Sequence, residues 1–280
     1  MPAYSAPDGT RLAYHLNGQG SPVVCLPGGP MQDSEYLQDL GGLSRSARLI
    51  LVDHRGTGQS EMPAEIDSCR CDRLVDDVEA LRGHLGLDRI DLLGHSAGAN
   101  LAVLYAARHP ERVNRLVLVT PSSFAVGIDV STEMRREIMM RRKGDPLYEQ
   151  VSAAFEAIAA GRGNGDDWEA IVPFSYGQWD AVAQAAHARG AVRRNAAAAA
   201  VYGSEGAFDP MATRSTLATF PAPVLVVAGE LDLAAPPRAV AQYVGLFPRA
   251  TLLTVPGAGH FPWLDDSIGF AGAIAAFLAE

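Results

Sequence analysis

The stretch Ile90-Asp91-Leu92-Leu93-Gly94-His95-Ser96-Ala97-Gly98-Ala99-Asn100-Leu101 decides how the rest of the chain reads. Ile90 to Leu93, apolar but for Asp91, reads as a strand, and Ala97 to Arg108 reads as a helix. Between them, Gly94-His95-Ser96-Ala97-Gly98 fits the G-x-S-x-G pattern. In that context the pattern puts a serine on a sharp strand-to-helix turn, and its two glycines let neighbouring elements approach. The helix N-terminus below the serine favours negative charge that develops there. The plain alternative is a tight turn whose serine only caps the helix. A base and an acid at matching places elsewhere in the chain separate the two readings.

Working outward, Arg11 to Leu16 follows an Asp8-Gly9 turn and reads as a strand of an N-terminal hairpin. Pro22 to Leu26, Leu49 to Val52 and Leu116 to Val119 are further short apolar strands, and Asp72 to Leu85 sets Leu74, Val75, Val78, Leu81 and Leu85 on one helical face. Apolar strands alternating with helices predict an α/β fold, with a mostly parallel sheet covered on both faces. The rhythm breaks after residue 124. Residues 125–211 carry helical signals with no clear strand, and Ala181 to Tyr202 is a strong helix former apart from Gly190. Strand and helix alternation returns with Val224 to Gly229, Ala250 to Val255 and a last helix near Ile268 to Ala279. The expected organisation is a core from 1–124 and 212–280, interrupted by a helical cap insertion at 125–211.

A serine nucleophile needs a base, and the base needs an orienting acid. Asp232 follows the strand that ends at Gly229, and His260 follows the strand that ends at Val255. Both sit at C-terminal strand ends, where open α/β sheets place their sites. The chain order Ser96, Asp232, His260 is the order Ser–acid–His. The plain readings are a turn residue for Asp232 and a loop histidine for His260. His15, His54, His84, His95, His109 and His187 have weaker claims by position. An oxyanion needs backbone N–H donors. Ala97 follows the serine and supplies one. Pro27 and Pro30 have no N–H, so in the loop after Leu26 the second donor is Gly29, ahead of Gly28.

Composition narrows the partners. The chain has 280 residues, 48% hydrophobic and 20% charged, with a net charge of −9. An acidic surface repels nucleic acid and anionic membranes, so neither is an expected partner. No apolar run approaches the ~20 residues of a membrane span, and the N-terminus lacks a secretory pattern. Cys25, Cys69 and Cys71 suit a reducing compartment, so a cytoplasmic location is expected, with the paired cysteines read as surface or half-buried thiols. Zinc spacing, a Walker loop and a dinucleotide fingerprint are missing, so no metal and no cofactor is expected. Asp53 and Arg55 read as structural loop residues, and Arg135 to Lys143 as a solvated basic helix face.

With these motifs in place, the chain resembles the α/β-hydrolase superfamily, and within it the proline-iminopeptidase-like branch. Pro27-Gly28-Gly29-Pro30-Met31 is similar to that branch's His-Gly-Gly-Pro-Gly loop, and Asp53-His54-Arg55-Gly56-Thr57-Gly58-Gln59-Ser60 to its Asp-x-Arg-Gly-x-Gly-x-Ser segment. Gly229-Glu230-Leu231-Asp232 and Gly257-Ala258-Gly259-His260 resemble its acid and histidine segments. The resemblance implies a Ser96–His260–Asp232 triad, an oxyanion hole from Gly29 and Ala97, and a helical cap at 125–211. This chain has Ala97 where iminopeptidases usually have tryptophan, and Leu233 where some relatives hold an amino group with glutamate. These departures point to an apolar, uncharged acyl or alcohol group against Leu233 and Met31. Trp168, Phe174 and Trp179 are the candidate pocket aromatics. The expected activity is a serine hydrolase on a small ester, lactone or amide. The alternatives are a proline iminopeptidase-type aminopeptidase, acyl transfer, perhydrolysis or a lyase step on the same fold, and a ligand-binding receptor. Oligomeric state is not legible in the sequence.

Overall fold

A computed structural model describes residues 2–191 and 193–280. Eight strands of the described residues form one sheet: β1 (Ala3–Ser5), β2 (Arg11–Asn17), β3 (Pro22–Leu26), β4 (Arg48–Val52), β5 (Ile90–His95), β6 (Val113–Val119), β7 (Val224–Gly229) and β8 (Ala250–Val255). Their spatial order is β1-β2-β4-β3-β5-β6-β7-β8. β1, β2 and β4 pair antiparallel, whereas all pairs from β4 to β8 are parallel.

The side-chain period of two, with both faces covered, explains why the central strands are apolar over most of their length. Val24, Leu26, Ile50, Leu92, Leu116 and Val226 face one core cluster, and Val23, Cys25, Leu49, Leu93, Val117 and Val227 face the other. The first cluster is closed by α1 (Cys71–His84) and α2 (Ala97–Arg108). The second is closed by the C-terminal helix and by Trp263, Phe270 and Ile274. Burying each large apolar side chain contributes about 1.5–3 kcal/mol.

Strand order reverses at β3. The chain goes from β3 out to β4 on one side and returns to β5 on the other, so the loop after β3 lies beside the turn after β5. That crevice is where an open parallel sheet binds ligands.

Between β6 and β7 the chain runs through α3 (Thr132–Arg141), α4 (Tyr148–Ala159), α5 (Gly165–Ala170), α6 (Ala181–Ala191), α7 (Ala196–Tyr202) and α8 (Pro210–Leu217). After β7 come α9 (Pro237–Val240), α10 (Pro262–Asp265) and α11 (Ser267–Ala279). The single Ala-rich helix expected from 181 to 202 is two helices. Asn195 starts the second: its side-chain oxygen caps the Ala198 N–H, and its Nδ2 donates to the Gly56 carbonyl at 2.7 Å. Its own N–H donates to the Met31 carbonyl. These bonds anchor the chain to the core, which local helix propensity does not register.

Two further expectations are corrected. Cys69 and Cys71 are fully buried, because the turn Ile66–Cys69 packs beneath α7. The basic run is a solvated face only in part: Arg136, Arg141 and Lys143 are exposed, whereas Arg135 is half-buried and Arg142 is buried. Arg135 donates to the Leu233 and Val130 carbonyls, Arg136 pairs with Glu156, and Arg142 lies 3.7 Å over the Phe174 ring. Asp53 and Arg55 are buried in a loop network. Asp53 accepts from Ser34, Gln59 and His15, while Arg55 bonds Asp77 and Asp8.

Candidate active site

Ser96 sits between β5 and α2 at φ 51°, ψ −119°. Close packing demands the glycines around it. A β-carbon on Gly94 would lie 2.6 Å from the Gly98 carbonyl oxygen, and one on Gly98 would lie 2.6 Å from the Pro27 carbonyl oxygen. The second contact shows the loop after β3 pressed against the serine turn.

Asp232, His260 and Ser96 come together from three separate loops. Ser96 Oγ donates to His260 Nε2 at 2.9 Å, and His260 Nδ1 donates to Asp232 Oδ2 at 2.7 Å. Asp232 has no solvent exposure, and its other oxygen accepts from the Ala234 and Ala235 N–H groups at 2.8 and 3.0 Å. With both carboxylate oxygens bonded, the acid is fixed in place, holds the imidazole proton on Nδ1 and leaves Nε2 free to accept.

The two expected oxyanion donors differ from Gly28 in one respect. The Gly28 N–H already donates to the Tyr36 hydroxyl at 2.7 Å. Gly29 N–H has no acceptor among the described residues, and Ala97, first in its helix, has no carbonyl one turn back. The Gly28 carbonyl accepts from the Gln32 N–H, which fixes the plane of the Gly28–Gly29 peptide.

Several site residues were not legible in the sequence. Tyr36 accepts from Gly28 and donates to His95 Nδ1 at 2.6 Å. His95 Nε2 donates to the His260 carbonyl at 3.0 Å, as does the Thr120 hydroxyl. Burial, with the neighbouring His260 adding to it, pushes the His95 imidazole well below its ordinary pKa, so it stays neutral. The His260 N–H donates to the Ser175 carbonyl at 2.7 Å. Asp265 accepts from the Gly259 and Gly177 N–H groups at 2.8 and 3.0 Å. The histidine loop is thereby tied to the serine turn and to the helical segment above it. These partners lie far apart in sequence and have no motif of their own, so only the folded chain reveals them.

A cleft of about 530 Å³ exposes Ser96 and His260, walled by Ser122, Phe124, Val130 and Ala234 among others. A second cavity of about 510 Å³ lies on the Gly29 side. The five expected pocket residues lie outside the Ser96 cleft. Met31 is fully buried in the main core. Phe174 and Leu233 pack with Ile138, Met139, Val151 and Phe155 in a separate apolar cluster. Trp168 points outward at 57% exposure, and the Trp179 ring lies tilted, 5.3 Å from that of Tyr176. An apolar acyl group at Ser96 therefore does not rest against Leu233 and Met31, because neither side chain lines the cleft. Among the described residues no cluster of His, Cys, Asp and Glu has metal-ligand geometry. No helix of the described residues is long and apolar enough to cross a membrane.

A family model described as "alpha/beta hydrolase fold" matches residues 21–267. The chain is 25% identical to a proline iminopeptidase from Heyndrickxia coagulans, over 96% of both chains. It is 28% identical to a 2-hydroxymuconate semialdehyde hydrolase from a Pseudomonas species, over 97% of this chain and 92% of that one. The structure of an esterase from Exiguobacterium antarcticum superposes with a TM-score of 0.73 at 19% identity, covering 99% of each chain, a likeness of fold.

Proposed function

The chain belongs to the α/β-hydrolase family, and from that premise we propose that it is a serine hydrolase acting on a small ester, lactone or amide through an acyl-enzyme. One observation carries the reading: the unbroken hydrogen-bonded line from Asp232 through His260 to Ser96. In the mechanism, Ser96 Oγ attacks the substrate carbonyl as its proton passes to His260 Nε2. Asp232 stabilises the imidazolium formed. The carbonyl oxygen takes up negative charge beside the Gly29 and Ala97 N–H groups. His260 then protonates the leaving group, the C–O or C–N bond breaks, and the acyl group remains on Ser96. Water, deprotonated by His260, attacks the acyl carbon and releases the acid and free Ser96. The helical segment at 125–211 acts as the cap that selects what enters.

The aminopeptidase alternative, suggested by the Heyndrickxia relative, requires an anion to hold a substrate ammonium. Among the described residues, Asp129 is the one carboxylate of the Ser96 cleft, and it lies in the field of Arg135. That environment favours esters and lactones over free N-terminal proline. A panel of aryl esters, lactones and proline anilides tests the choice. Esters are expected to exceed proline anilide in kcat/KM by at least about a hundredfold, and Ser96→Ala removes turnover of all of them. Proline anilide turned over as well as the best ester would overturn the preference.

A further inference from the structure

The second cavity, of about 510 Å³, abuts the site: Gly29 of the proposed oxyanion hole, Tyr36 beneath it and Phe261 next to His260 all stand in its wall. The two cavities share no lining residue, so reaching this space from Ser96 takes a substrate long enough to pass the oxyanion loop. The wall is cationic although the protein carries a net charge of −9. Among the described residues, Arg189, Arg193 and Arg194 face a single lining carboxylate, Glu35, and Arg193 already pairs with Glu35 and Asp33. Arg194 donates from Nε to the Pro30 carbonyl at 3.1 Å, one residue from Gly29. Its terminal nitrogens have no acceptor among the described residues, and Arg189 has no carboxylate partner among them. In the Ser96 cleft the situation is the reverse: the guanidinium of Arg135 is bound to the Leu233 and Val130 carbonyls.

Resting on the serine-hydrolase reading, we infer that this cavity receives a carboxylate carried by the substrate and bound by Arg194 and Arg189. A guanidinium presents paired N–H donors that match a carboxylate, and Arg194 is held by its Nε so that the outer edge of the fork points away from the loop. Tyr36, Tyr176 and Phe261 offer rings for the body of such a molecule. The substrate class is therefore an ester, lactone or amide that also bears a free acid group.

The test uses two esters with one leaving group: 4-nitrophenyl hydrogen glutarate and its neutral methyl diester. The acid monoester is expected to be preferred in kcat/KM by about tenfold or more at low salt, with the preference shrinking as salt screens the contact. In the double variant Arg189→Gln, Arg194→Gln the acid-to-neutral ratio falls to about one. Glutarate binding measured by calorimetry weakens by about tenfold in the same variant, a readout that needs no catalysis. An acid-to-neutral ratio of one in the unaltered protein, or a ratio and a glutarate affinity that the double variant leaves unmoved, overturns the inference. If a fluorophosphonate labels Ser96 in that case, the hydrolase reading stands without it. Glutarate binding that depends on the arginines, with no labelling of Ser96, separates the opposite case.

Discussion

At the scale of single residues, the strained φ of Ser96 and the full burial of Asp232 have one cause. Each is fixed by backbone contacts that leave only its reactive oxygen facing the next group. A non-glycine residue keeps such a φ only where its surroundings impose it. Asp232→Asn keeps the shape but offers an amide that favours the wrong imidazole tautomer. Its kcat is expected to fall on the order of 10³–10⁴-fold with the circular dichroism unchanged. A loss under tenfold would remove Asp232 from the role given to it. Tyr36→Phe cuts the line from Gly28 to His95. Steady-state kinetics should show kcat down by about tenfold with KM nearly constant, because the hydroxyl positions the oxyanion loop and does not meet substrate. The positions of Ser96, Asp232 and His260 were legible in the sequence because each follows an apolar run that forms a strand. Tyr36 was not, since its partner His95 is 59 residues away and its own turn has no periodicity.

Among the elements, strands were the most legible, because a parallel sheet buried on both faces needs continuous apolar runs. Helices of the 125–211 segment were legible as helices, but not in how they pack. Trp168 and Phe174 are both aromatic, yet one faces solvent and the other lies in an apolar cluster with Leu233. Side-chain type does not decide which wall a residue joins. The division of the Ala-rich stretch into α6 and α7 follows from tertiary bonds of Asn195, against local propensity. Asn195→Ala removes both the cap of α7 and the bond to Gly56. It should lower stability by about 1–2 kcal/mol in urea unfolding. An unchanged unfolding midpoint would show that the anchor contributes nothing.

For the whole molecule, the parallel run of β3, β5, β6, β7 and β8 explains why Ser96, Asp232 and His260 share one edge of the sheet. The pH response of stability follows from buried histidines. Loss of hydration pushes the His54 imidazole down to about 4, and His95 is also held well below its ordinary value. A histidine whose folded pKa is depressed binds its proton more readily when unfolded. Stability should therefore fall as pH drops from about 6.5 toward 4, by up to about 1.4 kcal/mol per pH unit for each histidine. Below pH ~4, Glu79 adds to the loss: the Arg82 guanidinium holds its carboxyl at about 2, and that stabilisation disappears as the group protonates. Urea midpoints that stay flat between pH 7 and 4.5 would contradict this account. The central claim, that Ser96 is the nucleophile of an acyl-enzyme, meets its most direct test in peptide mass spectrometry after treatment with a fluorophosphonate. The account predicts one adduct, on Ser96, absent from both Ser96→Ala and His260→Ala; an adduct on another residue, or none on Ser96 in the unaltered protein, would contradict it.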